Sequence, residues 1–189
     1  MDGIWDNCYK GINRANSAIK YIPNIKIDEE GEGERLLAEA KFFRAFNYFY
    51  LVKTFGAVPF YTEPYEVAEN MELERTETST IYTQIENDLN EAMAVLADAR
   101  FTDNHRITKH TAAMVLTDVY MYQHKYAEAA KTAQSIIDSQ KYSLLANTDM
   151  ADNSAYNQLR ELDNNSEVIY SYEFDPSISP SNWLPTYAF

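Results

Sequence analysis

The sequence predicts a mainly α fold, a stack of antiparallel helix pairs with a short strand and irregular loops at its C-terminal end. Three observations predict it. Apolar residues recur at steps of three and four in five segments ahead of residue 142. Residues 108–140 carry leucine, tyrosine and alanine at the spacings of a helical-hairpin repeat. After Tyr142 the pattern turns polar and irregular, and ends in a proline-punctuated stretch.

The segment over 4–21 places Ile4, Cys8, Ile12, Ala15 and Ile19 on one face, with Trp5 and Tyr9 beside them. Asn16 falls on this helix as a core amide bonded to neighbouring backbone. Cys8 is the only cysteine, which rules out an internal disulfide and a cysteine-rich zinc site. Among those aromatic neighbours it reads as a small buried hydrophobe. Pro23 ends the helix. Residues 24–33 then bring Asp28, Glu29, Glu30 and Glu32 together with Gly31 and Gly33. Four acids this close suggest calcium, but DEEGEGE lacks the alternating ligands of an EF-hand loop. Acids also favour the positive end of the helix that follows.

That helix, over 34–55, is the centre of the chain. Ala38, Phe42, Ala45, Phe49 and Val52 form one apolar row. Leu37, Tyr48, Leu51 and Phe55 form a second, and Leu36, Ala40, Phe43 and Tyr50 a third. A helix apolar on most of its circumference needs neighbours on several sides. Glu39, Lys41, Arg44, Asn47 and Lys53 interrupt the apolar run too often for a membrane span. Arg44 needs a partner in such a setting, from helix-end carbonyls or an acid on the first helix. Gly56 caps the helix and Pro59 cannot continue it.

Residues 57–77 form a long connection stiffened by Pro59 and Pro64. Its Phe60, Tyr61 and Tyr65 either stack on a ligand or pin the loop to the helices. The next helix starts at Thr78 or Ser79 and runs to about Ala99, with Ile81, Ile85, Leu89, Ala92, Val95 and Leu96 as its stripe. A turn over 100–107 carries His105 and Arg106. A helix over 108–124 turns Ala112, Val115, Leu116, Val119 and Tyr120 inward, and a break at His124 and Lys125 leads into a last helix over 126–140. Leu116, Tyr120, Tyr126 and Ala129 sit where a tetratricopeptide repeat places its Leu, Tyr, Tyr and small Ala, with Thr117 at a usual glycine. The fold is therefore tetratricopeptide-like over 1–142. The second unit, 143–189, is loop-rich. It admits a helical turn over 155–161 and a strand at EVIYSYEF, 167–174.

The composition limits the function. A formal net charge of −13 repels nucleic acid and anionic membrane surfaces, and no basic patch offsets it; a neutral glycan is compatible. Fifteen tyrosines suit either a ring-filled helical stack or a carbohydrate binder. No glycine-rich phosphate loop, H-E-x-x-H pair or G-x-S-x-G elbow occurs, so neither catalyst nor cofactor is expected. His105 and His110 lie in or near a turn and are expected to be solvated.

Five motifs in order carry a resemblance to a known family. The central helix and its exit read AEAKFFRAFNYFYLVKTFGAVPF, with Glu39, Ala40, Phe43, Arg44, Ala45, Tyr48, Leu51, Phe55, Gly56, Val58 and Pro59 as matching residues. Upstream, Trp5, Tyr9, Ile12 and Asn16 fit W-x3-Y-x2-I-x3-N. Downstream come Asp88, Leu89 and Ala92, then Arg106, Ile107, Thr108 and Lys109, then Glu167, Val168 and Ile169. The chain resembles the SusD/RagB family of outer-membrane glycan-binding lipoproteins from Trp5 to about Tyr172.

The resemblance implies a non-enzymatic protein at the outer membrane and cell surface. It would capture oligosaccharide or polysaccharide for a partner TonB-dependent outer-membrane transporter. Arg44 and Asn16 would hold the fold rather than the ligand. Family members are much longer, with a lipidated N-terminal cysteine; Cys8 lies inside a helix motif and is not that cysteine. No secretory signal opens the sequence, and the chain is expected to be an internal fragment. Family sites use aromatics on loops beyond the strand. Trp183 and Tyr187, with Asn182 beside them, lie on such a loop, SISPSNWLPTYAF, stiffened by Pro180 and Pro185, and are the expected sugar contacts; no family motif fixes them, and the alternative is a ring that fills a core gap. The alternatives are a tetratricopeptide-like protein–protein scaffold and, third, a glycan-processing enzyme.

Overall fold

The computed structural model describes residues 2–65, 73–147, 154–161 and 165–171. Helix α1 spans Asp2–Tyr21 and α2 spans Glu32–Phe55. A two-residue strand β1, Val58–Pro59, pairs antiparallel with β2, Arg75–Thr76. Helix α3 is Thr78–Val95, α4 a single turn at Phe101–Asn104, α5 Lys109–Tyr122, α6 Tyr126–Asp138 and α7 Ala155–Glu161. Along the chain α1 packs on α2, α2 on α3, α3 on α5 and α5 on α6. The neighbours α1 and α2 pair, as do α3 and α5, and α5 and α6 form the tetratricopeptide-like pair. The turn expected over 100–107 contains α4.

Helix α2 lies between α1 and α3. All five residues of its first row, Ala38, Phe42, Ala45, Phe49 and Val52, are buried, as are Tyr48 and Leu51 of the second. Burying a large side chain of this kind stabilises by roughly 1.5–3 kcal/mol each. The third row divides. Ala40 is buried, whereas Phe43 and Tyr50 stay exposed, so α2 is covered on two sides rather than all round. Gly56 ends the helix at φ +72°, a value that side chains disfavour. Gly11 marks the close approach of α1 to α2: a Cβ there would fall 2.8 Å from the Asn47 amide.

The stripe of α3 is buried at Ile81, Ile85, Leu89 and Ala92, with Leu96 just past its end. Val95, the last residue of α3, is exposed. Helix α6 meets α5 across a short turn in which His124 takes φ +60°. Only Ala129 and Ile136 of α6 are buried, and Ala129 is 2% exposed. Ala129→Leu is therefore expected to wedge α6 from α5 at a cost of roughly 1–3 kcal/mol. Thermal melting checks this, and an unchanged curve would contradict a close helix contact at that position.

Two expectations are corrected. Residues 167–171 form turn, bend and irregular backbone rather than a strand; 172–174 lie outside the described residues. The cause is local. Buried Asn165 accepts from the amides of Glu167 (3.0 Å) and Val168 (3.1 Å), closing a side-chain turn that competes with a ladder. The Glu167 carboxylate takes the Leu145 amide at 3.0 Å, and Tyr170 packs edge-on against Phe101.

His110 is buried, not solvated. Its ring meets the Tyr142 hydroxyl at 3.3 Å through Nδ1 and the Asp98 carboxylate at 3.4 Å through Nε2. Burial pushes its pKa below the ordinary 6.5, helped by Lys141 and Lys109 and opposed by Asp98. The folded state thus holds the imidazole neutral while the unfolded chain takes up a proton near 6.5. Its stabilising effect is complete above that value and is lost as pH falls through it. The melting temperature of His110→Gln is expected to fall less between pH 7 and 5.5 than that of the parent. Parallel melting curves for the two proteins would rule this out.

Candidate functional site

Trp5 and Tyr9 stand four residues apart, hence on one face of α1. The Trp5 ring sits 5.0 Å from Tyr9 and meets Phe55 edge-on at 5.1 Å. The chain leaving α2 folds back over this pair. The Tyr9 hydroxyl donates to the Pro59 carbonyl at 2.7 Å, and its ring stacks with Tyr61 at 6.0 Å and 14°. Tyr61 in turn contacts Tyr65 at 5.4 Å. Together Trp5, Tyr9, Pro59, Tyr61, Tyr65 and Leu73 line a cleft of about 190 Å³. All four rings are partly exposed, and Leu73 is exposed at the rim. Burial raises the pKa of both the Tyr9 and Tyr61 phenols. They are neutral hydroxyls at any physiological pH, able to donate and to accept.

Phe60 packs inward on Tyr48 at 5.1 Å and pins the loop; Tyr61 and Tyr65 present their rings to the cleft. Sequence reading placed Trp5 and Tyr9 beside the core face of the first helix and missed their part in the cleft. Their i, i+4 spacing was the available signal. Trp183, Tyr187 and Asn182 lie outside the described residues.

A larger cavity of about 420 Å³ is lined by Glu39, Phe43, Phe101, His105, Arg106, Ile107, Tyr170 and Ser171. Arg106 closes one side with a two-pronged pair to Glu39 (2.9 and 2.8 Å), and Glu32 stands 3.6 Å from its guanidinium. Glu32 also pairs with Arg35. The acid at the start of α2 is thus taken up by arginines. Among the described residues no group of three His, Cys, Asp or Glu side chains is placed to hold a metal, and no helix is long and apolar enough to cross a membrane.

Residues 2–121 match the SusD-like family described as "Starch-binding associating with outer membrane". The chain belongs to this family. It is 34% identical over 180 residues to a SusD-like protein of Formosa agariphila, covering 94% of this chain and 33% of that one. A laminarin-binding SusD-like protein of known structure is 36% identical and superposes with a TM-score of 0.70, covering 75% of this chain and 32% of the other. A SusD-like protein from Bacteroides fragilis superposes with a TM-score of 0.80 at 25% identity, over 96% of this chain and 35% of the other. The chain therefore spans about a third of the length of the SusD-like relatives it matches. The family match takes in α1 to α4 and nearly all of α5, including both walls of the aromatic cleft.

Proposed function

We propose that this chain is the helical part of a surface protein that captures neutral oligosaccharide at the outer membrane and delivers it to a TonB-dependent transporter. The observation that carries the binding half is the cleft of Trp5, Tyr9, Tyr61 and Tyr65 on a chain of the SusD-like family. Sugar rings have an apolar face that stacks on aromatic rings, and hydroxyls that pair with phenol and indole groups. A net charge of −13 favours an uncharged ligand over an acidic one. The reading is one of binding without turnover. The relatives are named for what they bind, starch in the family description and laminarin in one neighbour. Trp183 and Tyr187, with Asn182, are proposed to add a second aromatic contact. Transporter coupling rests on the family resemblance, and co-purification of the transporter with the full-length protein tests it.

The binding test is calorimetry with laminarin and with starch. Tyr65→Ala in the full-length protein is expected to weaken the glycan that binds by tenfold or more, with its melting curve unchanged. Equal affinity in the variant removes the cleft from the site. Affinity is also expected to be unmoved by EDTA and by 0.5 M salt, since a neutral sugar has no charge to screen.

A further inference from the structure

The backbone of 60–65, which carries Tyr61 and Tyr65, belongs to no helix or strand. Its shape is set by side chains reaching across from α1 and α2. The Tyr48 hydroxyl donates to the Tyr61 carbonyl (2.7 Å) and accepts from the Tyr61 amide (2.9 Å), so one phenol holds both polar groups of one residue. The Asn16 amide donates to the Tyr61 and Glu63 carbonyls at 3.3 and 3.1 Å. Arg44 donates to the Thr62 carbonyl at 3.2 Å. The Asn13 side-chain oxygen accepts the Tyr65 amide at 2.6 Å. Tyr48 is fully buried, and Asn16 and Arg44 nearly so. Buried backbone groups need partners, and here those partners come from residues 13 to 52 positions away in the chain.

We propose that Tyr48, with Asn13 and Asn16, is a positioning residue for the ligand: it sets the angle at which Tyr61 and Tyr65 meet a sugar ring. The proposal rests on the glycan-cleft reading above. It assigns the polar atoms of the α1 and α2 motifs a task beyond packing. A tyrosine needed only to fill the core would do so as phenylalanine, because the ring supplies the contact area and the hydroxyl supplies only the two bonds to Tyr61. Spacing of the rings follows from those bonds, since Tyr61 lies between Tyr9 and Tyr65 and a shift of its backbone moves it against both.

The test uses the full-length protein, laminarin as probe, and amide hydrogen exchange over 59–65. Tyr48→Phe is expected to speed exchange at Tyr61 at least tenfold and to weaken laminarin about tenfold, with the ring still in the core and the fold retained. Unchanged exchange, or faster exchange with unchanged affinity, overturns the proposal. If Tyr48→Phe does not fold, Asn13→Ala on half-buried α1 surface takes its place, read at the Tyr65 amide by the same two criteria. Tyr61→Ala separates the two readings. If it leaves laminarin binding intact, the cleft is not the site and a positioning role for the ligand falls with it. If it abolishes binding while Tyr48→Phe changes nothing, the cleft stands and only the positioning role is lost.

Discussion

Arg44→Ala is expected to cost about 3–5 kcal/mol, the usual penalty for breaking a buried ion pair on one side only. In a chain of this size that lowers the melting temperature by on the order of 10 °C. Arg44 is 5% exposed and Asp88 of α3 is 1% exposed. The guanidinium donates from Nε and Nη2 to the two Asp88 oxygens at 2.8 and 2.7 Å. Its Nη1 donates to the Asn16 side chain at 3.0 Å as well as to the Thr62 carbonyl. One side chain therefore ties α1, α2, α3 and the loop together. Alanine would leave a buried carboxylate with Gln84 as its remaining side-chain partner, at 2.9 Å. Lysine keeps the charge but not the fork, so Arg44→Lys is expected to remain well below the parent. The double variant Arg44→Met, Asp88→Leu removes both charges and is expected to recover most of the loss. If Arg44→Ala melts with the parent, the pair contributes nothing and the three-helix junction is held by its apolar contacts alone.

The need for a partner at Arg44 was readable from a charge on a helix apolar nearly all round. Which partner was not. Helix-end carbonyls or an acid on the first helix were the expected partners; that helix does contribute, through Asn16, and a carbonyl comes from Thr62 of the loop. The acid is Asp88, which sits between Ile85 and Leu89 on a stripe that otherwise faces the core. Sequence spacing says that Asp88 points inward; only the crossing of α3 over α2 says what it meets there. The same limit explains His110. Its place beside a turn suggested solvent, but Tyr142 and Asp98 close over it. Long-range folding of that kind leaves no local periodicity. Residues 167–171 of EVIYSYEF depart from a strand for the opposite reason. Its alternation is real, yet a strand needs a neighbour, and Asn165 and Glu167 spend their polar groups on a turn and on Leu145 instead. The helices were legible because their signal is local: Phe42, Ala45 and Phe49 repeat at helical spacing whatever lies opposite. The cleft was half legible. Aromatics on the 57–65 connection were visible in sequence, but not their return onto Trp5 and Tyr9.

Trp183→Ala is expected to weaken glycan binding by tenfold or more while leaving the melting temperature unchanged. Trp183 lies in SISPSNWLPTYAF between Pro180 and Pro185, on a stretch with neither helical nor alternating apolar spacing to assign it to a core. Flanking prolines reduce the freedom lost when such a ring is held in place. An indole offers a broad apolar face and one N–H donor, a match for a pyranose ring, and Asn182 beside it supplies amide groups for sugar hydroxyls. Removing one well-packed aromatic anchor from a binding site typically costs at least about 2 kcal/mol, or some thirtyfold in affinity. The competing role is structural, with the ring filling a gap against the rest of the protein. The two roles give opposite results in the full-length protein. A ligand contact lowers affinity and spares the melting curve, and Tyr187→Ala should then follow it with a smaller loss. A structural plug lowers the melting temperature and spares affinity in the fraction that remains folded. Combining Trp183→Ala with Tyr65→Ala decides whether the two aromatic positions serve one ligand. Losses that multiply mark independent contacts, whereas a double variant no weaker than the worse single one marks a shared contact.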